Sequence, residues 1–263
     1  MDLTTYRRRV GLADDLPLPP TLTTLRTLTW HHVTHIPFEN VDVQLGRPIS
    51  LEVADLERKL VGARRGGYCF EHNTWFEAVL RELGYSVTAL AARVRWNAIG
   101  PTPRTHMLLR VELEGGGWLV DVGFGGFVPT GPLRLADDEV QPLRFGTFRI
   151  VRAADGARTL QAELEGGYSD LYRFTDEPHQ RVDFEVMNHF TSTHPASRFR
   201  RSLIVTSVGE DGRHALMNDE HTHRAPERTH KRKLAASEIP SLLRTVFSLD
   251  VADGTRFPAL ESS

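Results

Sequence analysis

In residues 21 to 36, TLTTLRTLTWHHVTHI, the apolar positions Leu22, Leu25, Leu28 and Val33 recur at helical spacing after a Pro19-Pro20 start signal. LEVADLERKLV repeats the pattern with Val53, Leu56, Leu60 and Val61. In FEHNTWFEAVLREL, the residues Phe70, Trp75, Phe76, Val79, Leu80 and Leu83 gather onto broadly one face, and Gly84 stops that helix as a C-cap would. Between the first two helices IPFENVDV, Ile36 to Val43, reads as a non-helical connector.

From about Tyr85 the period becomes two. YSVTALAARVRW, THMLLRVEL, GWLVDVGF, GTFRIVRA and ARTLQAELE are rich in β-branched and aliphatic residues and are broken by Gly, Pro and Asp turns, which describes an antiparallel sheet or barrel. The stretch from DLYRF to about Val186 carries no clear period. Beyond it SLIVTSVG reads as a strand, and SEIPSLLRTVF as a helix capped by Ser237. Helical first, mostly β second and mixed third: that order argues for an α+β protein without internal repeats.

Composition excludes more than it assigns. A chain of 263 residues, 40% hydrophobic and 25% charged, can bury a sizeable core. Its formal charge of −2 gives no electrostatic reason to expect nucleic acid or an anionic membrane as partner. A single cysteine excludes an intramolecular disulfide and a cysteine-rich zinc site. With no apolar leader and no run long enough to span a bilayer, the expectation is a cytoplasmic protein.

That cysteine, Cys69, lies at the start of the third helix in RGGYCFEHN, after Arg64, Arg65, Gly66 and Gly67. Unpaired N–H groups, the helix dipole and adjacent arginines all favour an anion there, so a thiolate is stabilised. A lone cysteine is ordinarily an inert core residue; this one has the surroundings of a nucleophile. It then needs an imidazole, and the imidazole needs a carboxylate or amide on its other nitrogen. Of 12 histidines, His106 opens THMLLRVEL, and the next strand carries Asp121 among apolar residues, a costly position unless paired. A tight turn through Gly115-Gly116 puts both on one face but sets Asp121 opposite Arg110, about four residues or ~13 Å from His106. The spacing permits the pair and does not require it; a bulge or wider loop would have to close the gap. Glu39 is flanked by apolar residues: buried, it needs a cation, with Arg64 and Arg65 nearest; on the surface it needs none. His31 and His35 stand i, i+4 as zinc ligands can, but no HExxH and no third ligand accompany them, so no metal is expected. No GxGxxG or Walker pattern is present.

The motifs IPFENVDV, RGGYCFEHN, THMLLRV followed by WLVDVGFGG, and STHPASRF occur in one order along nearly the whole chain. In this combination the chain resembles the arylamine N-acetyltransferases of bacterial type. The resemblance implies a papain-like core in three parts: a helical bundle over 1–84 with the nucleophile, a β-barrel over 85–188 with histidine and aspartate, and an α/β lid over 189–263. It implies a triad of Cys69, His106 and Asp121, and a structural ion pair of Glu39 with Arg65 rather than Arg64. It implies acetyl-CoA as acyl donor, ping-pong transfer through an acetyl-cysteine, and arylamines, arylhydrazines or arylhydroxylamines as acceptors. Phe38, Tyr68 and Phe124 would line the acceptor site, and Trp96, Gly123, Gly125, Gly126 and Phe199 the path of CoA. Lys231 and Lys233 are candidates for its phosphates, or members of a solvated charge cluster. An amide synthase working from a carrier-bound polyketide, or a thiol hydrolase, would use the same triad. The acceptor amine, the donor chain length and the oligomeric state are not readable.

Overall fold

The computed structural model describes residues 2–113, 115–252 and 254–261. Helix α1 (Leu3–Arg9) starts where the Asp2 side chain accepts the Thr4 N–H, and α2 (Leu22–His35) where Thr21 accepts that of Thr24. The expected connector IPFENVDV is more ordered than its sequence suggests, forming β1 (Phe38–Glu39) and one helical turn, α3 (Val41–Gln44). The cause is Glu39, whose carboxylate accepts the Val41 N–H at 2.7 Å and so begins the turn. Next, α4 (Val53–Leu56) runs into a π-helical turn, Glu57–Gly62, and then comes α5 (Cys69–Glu82). The helix ends before Gly84, whose φ of 87° suits a residue without a Cβ.

Eight strands form one antiparallel sheet: β2 (Ser86–Val94), β3 (Arg104–Leu113), β4 (Gly116–Val120), β5 (Leu133–Arg134), β6 (Gln141–Leu143), β7 (Gly146–Arg152), β8 (Arg158–Leu164) and β9 (Gly167–Phe174). Their order is β5-β4-β3-β2-β9-β8-β7-β6. The two edge strands nearly close into a barrel through Gln141, whose Oε1 accepts the Arg134 N–H at 2.7 Å while its amide donates to the Arg134 carbonyl at 2.9 Å. Alternation gives β2, β3 and β4 two buried faces. Leu90, Leu108 and Leu119 pack inward with Phe148, Ile150, Leu160 and Tyr172. Ala89, Met107, Leu109 and Val120 pack outward on Trp75, Phe76, Val79 and Leu80 of α5.

The stretch without a clear period contains β9 and α6 (Arg181–Thr193), so the boundary expected at 188/189 falls inside a helix. After α7 (Arg198–Arg201), the chain builds β10 (Ile204–Gly209), β11 (Gly212–Met217), β12 (Glu220–Ala225) and β13 (Arg228–Lys233). This second sheet has the order β1-β10-β11-β12-β13, so the helical part donates its first strand. Helices α8 (Ile239–Thr245) and α9 (Pro258–Glu261) complete the described chain. Ser237 is not the cap of α8: it lies in a 3-10 turn, Ala236–Glu238, and Glu238 reaches back to the Ala235 N–H at 2.8 Å. Pro240, three residues beyond Ser237, has no N–H to give a capping hydroxyl. Among the described residues no helix is long and apolar enough to cross a membrane.

Candidate active site

The approach to Cys69 is fixed by two glycines. A Cβ on Gly66 would lie 2.0 Å from the Pro37 carbonyl oxygen, and one on Gly67 would lie 2.7 Å from the Glu71 carboxylate. Only glycine lets the loop run against β1, where the Glu39 N–H donates to the Gly67 carbonyl at 2.7 Å, and lets Glu71 fold back over the helix start. Glu71 accepts the Tyr68 N–H at 3.0 Å, one arm of a capping box, so α5 begins at Cys69.

Charge holds the same loop. The Arg65 guanidinium meets Glu39 Oε1 through Nη2 at 2.6 Å and Nε at 3.0 Å, the partner chosen over Arg64. Arg65 also reaches Asp42 at 3.4 Å, and Lys59 Nζ bridges Asp42 and Glu71 at 2.7 Å each. The pair read from sequence is thus part of a network of Glu39, Asp42, Lys59, Arg65 and Glu71, which Arg47 joins from the surface through Asp42 at 3.1 Å. Burial works against Arg65 and Lys59, but the carboxylates around them outweigh it and raise both above their ordinary ranges. For Glu71 burial wins over Lys59, and its carboxyl is raised.

His106 and Asp121 come from the barrel. Leu113 already pairs with Gly116, so the β3–β4 register differs by two residues from the turn assumed at Gly115-Gly116. Continued past Val120, it brings Asp121 opposite Leu108, two residues or ~7 Å from His106. Asp121 lies just beyond the end of β4 rather than in mid-strand, free of the ladder, and its Oδ2 accepts the His106 Nε2–H at 2.7 Å. No bulge between β3 and β4 is needed. The other carboxylate oxygen accepts the Gly123 N–H at 2.9 Å and the Asn73 amide at 3.1 Å. Asn73 also donates to the Met107 carbonyl at 2.8 Å and accepts the Val122 N–H at 3.2 Å. One side chain of α5 therefore ties the helix of Cys69 to both strands.

Nε2 is occupied by Asp121, so Nδ1 is the His106 nitrogen left for the sulfur. The Cys69 thiol points at the carbonyl of Thr105, beside His106, at 3.6 Å. Cys69, His106 and Asp121 are all buried, at 3%, 2% and 0% exposure, so water screens their charges little. Burial alone would lower His106, but Asp121, and behind it Cys69, raise the imidazole to about 10. Burial opposes ionisation of Asp121, yet His106, the Gly123 N–H and Asn73 hold its carboxyl below the usual range.

The other expected site residues divide. Phe124 is half-buried with its ring centroid 5.1 Å from that of His106 and 4.9 Å from that of Tyr172. Gly123 passes so close to α5 that a Cβ would sit 2.7 Å from Cys69 Cα, and Gly125 has φ 71° as it opens a turn with Gly126. Tyr68 offers no open wall: it is fully buried with its hydroxyl on Asn188. Phe199 packs between Phe38 and Tyr68, at 5.9 and 5.3 Å, and Trp96 against Phe127 at 4.6 Å. Lys231 and Lys233 lie on β13 and meet Glu220 at 3.1 Å and Asp219 at 3.2 Å, as in a solvated charge cluster. His31 and His35 stack on each other, and His31 Nδ1 meets the Val10 carbonyl at 2.8 Å. Sequence reasoning missed Asn73, Glu71, Lys59 and Tyr172; the first two stand in the cysteine motif, but Asn73 acts through the strand ends that face α5 and Glu71 through a cap folded back onto the Tyr68 N–H.

A family described as N-acetyltransferase matches residues 21–256. An arylamine N-acetyltransferase of Mycolicibacterium smegmatis is 41% identical over 96% of this chain and 94% of its own. A Salmonella typhimurium protein, arylamine N-acetyltransferase / N-hydroxyarylamine O-acetyltransferase, is 38% identical over 89% of this chain and 84% of its own. The solved structure of Mycobacterium marinum arylamine N-acetyltransferase in complex with CoA superposes with a TM-score of 0.91 at 37% identity, covering 99% of this chain and 97% of that one.

Proposed function

The chain belongs to the arylamine N-acetyltransferase family, and from that premise we propose that it moves an acetyl group from acetyl-CoA to an arylamine, arylhydrazine or arylhydroxylamine through an acetyl-Cys69 intermediate. The observation that carries this reading is the buried His106, with Nε2 on Asp121 at 2.7 Å and Nδ1 left for the thiol of Cys69. An imidazole raised to about 10 is cationic at neutral pH, and beside a buried thiol it favours the thiolate–imidazolium pair.

In the first half-reaction the Cys69 sulfur attacks the thioester carbonyl. An S–C bond forms, the bond from carbon to the CoA sulfur breaks, and His106 supplies the proton the departing thiol takes. N–H groups at the start of α5 are available for the developing oxyanion. In the second, the amine nitrogen attacks the acetyl carbon, its proton passes to His106 and Cys69 leaves as thiolate. Aromatic amines suit this scheme because they are weakly basic and stay neutral at pH 7. Phe124, half-buried with its ring 5.1 Å from that of His106, offers an aromatic surface beside the reacting group. Similarity to a relative solved with CoA supports the donor.

Intact mass after mixing with acetyl-CoA tests the reading. The expected result is a one-acetyl adduct, absent from Cys69→Ser and discharged by an arylamine. No adduct with acetyl-CoA, together with one from a longer acyl carrier thioester, would move the assignment to an amide synthase. An adduct that water discharges as fast as the amine does would make it a thiol hydrolase.

A further inference from the structure

Outside the active site, the described residues bring Asp211, His214 and His223 together with one donor atom from each inside a 4.8 Å circle. The register of the second sheet is responsible. His214 pairs with His223, and His223 with His230, so these imidazoles share one face. The rings of His214 and His223 stack with centroids 4.1 Å apart and planes 7° from parallel. Asp211 sits in the β10–β11 turn between the paired Gly209 and Gly212. Gly212 has φ 133°, and a Cβ there would lie 2.2 Å from the Arg224 carbonyl oxygen, so only glycine lets the turn press against β12. That contact tips the carboxylate over both rings: Oδ2 lies 3.2 Å from His214 Nε2 and 3.3 Å from His223 Nε2.

We propose that Asp211, His214 and His223 form a binding site for a divalent first-row transition ion, with Zn²⁺ the best match to the donors. Two imidazole nitrogens and one carboxylate oxygen are ordinary zinc ligands, and bonds of ~2.0–2.1 Å in a tetrahedron imply donor–donor edges of ~3.3–3.4 Å, which the two carboxylate–imidazole contacts already match; the stacked rings must turn out of parallel for both lone pairs to meet the ion. Asp211 and His214 border a cavity of about 380 Å³ lined also by His35, Pro37 and Phe247, roomy enough for water or a small donor to complete the coordination. A metal-bound imidazole needs an anchor for its second nitrogen, and His214 Nδ1 has one in His221 Nε2 at 3.2 Å. A bound ion would clip the β10–β11 turn to β12 in the sheet that β1 begins, away from Cys69.

The test uses untagged Cys69→Ser protein, in which no thiolate competes for metal. Calorimetric titration with Zn²⁺, and the visible absorption of Co²⁺ displaced by Zn²⁺, should show one ion per chain. Binding should weaken at least tenfold in His214→Gln and His223→Gln and stay unchanged in His189→Gln, an exposed histidine elsewhere. Asp211→Asn, at an exposed turn residue, should also weaken it and keeps the test decisive if a histidine variant misfolds. Absence of binding, or stoichiometric binding that survives these substitutions, overturns the proposal.

Discussion

Asn73 lies one helical turn beyond Cys69 and donates its amide to the Asp121 carboxylate at 3.1 Å, while its other bonds reach the backbone of Met107 and Val122. The distance from Cys69 to Asp121 therefore depends on a side chain that touches neither the sulfur nor the imidazole. Asn73→Ala strands a buried carbonyl and a buried N–H, which costs ~1–3 kcal/mol each. Urea denaturation should show that loss, and acetyl transfer should fall more than tenfold. Asn73→Asp should be at least as damaging to activity, because it sets a second carboxylate against Asp121. Activity of either variant within twofold of the parent would separate Asn73 from the site.

A second prediction concerns Lys59. It serves Asp42 and Glu71, and the Glu71 side chain is only 2% exposed. Lys59→Met leaves that carboxylate buried without its cation, a change that typically costs ~3–5 kcal/mol. Arg65→Met should cost a similar amount through Glu39, whose side chain is fully buried. Guanidinium titrations of both should show the loss; midpoints equal to the parent would mean that solvent reaches the network.

Stability should pass through a maximum near pH 6.5, because two sets of histidines pull in opposite directions. Tyr6, His32 and His72 form a buried chain ending on the Pro37 carbonyl, with contacts of 3.1, 3.0 and 3.2 Å. Burial first, then nearby positive groups, drives His32 well below the ordinary histidine range and His72 to about 4. The unfolded chain binds protons at these sites near 6.5, so stability is full above that value and falls as pH drops below it, by up to ~1.4 kcal/mol per unit for each group. His106 is raised to about 10, so its contribution is full below 6.5 and is lost as pH rises towards 10. Denaturation at a series of pH values checks both limbs, and His106→Gln should flatten the alkaline one. Stability that kept rising from pH 7 to 9 would contradict the assignment.

How far these features were legible varied with how local their causes were. The helices α2 and α5 followed from spacing, since period and stop signals lie within one segment. The arrangement of β3 and β4 did not: whether Leu113 pairs with Gly116 or with Trp118 shifts Asp121 by two positions, and nothing in the glycine run decides it. Asp121 looked like mid-strand because its neighbours are apolar, yet it lies past the ladder, where a carboxylate can turn to meet an imidazole. Glu71 and Asn73 stand in plain sight around Cys69, but one acts through a folded-back cap and the other through strand ends more than thirty residues away. The histidine face of β11 and β12 depends on cross-strand register, which alternation alone leaves open.

The last prediction separates two sources of thiol activation. A helix N-terminus stabilises an anion by ~0.3–1 kcal/mol at an exposed site and by up to ~2 kcal/mol at a buried one such as Cys69, on the order of one pKa unit. The buried imidazolium, held by Asp121 at 2.7 Å, is the stronger source of field. Iodoacetamide should alkylate Cys69 faster in the parent than in His106→Ala at neutral pH, and the variant should require more alkaline solution for the same rate. Asp121→Asn should fall between them, because it removes the charge that supports the imidazolium but leaves the ring in place. Superimposable rate profiles for the parent and His106→Ala would assign activation to the helix and its arginines, and would leave His106 only the transfer of protons in the two half-reactions.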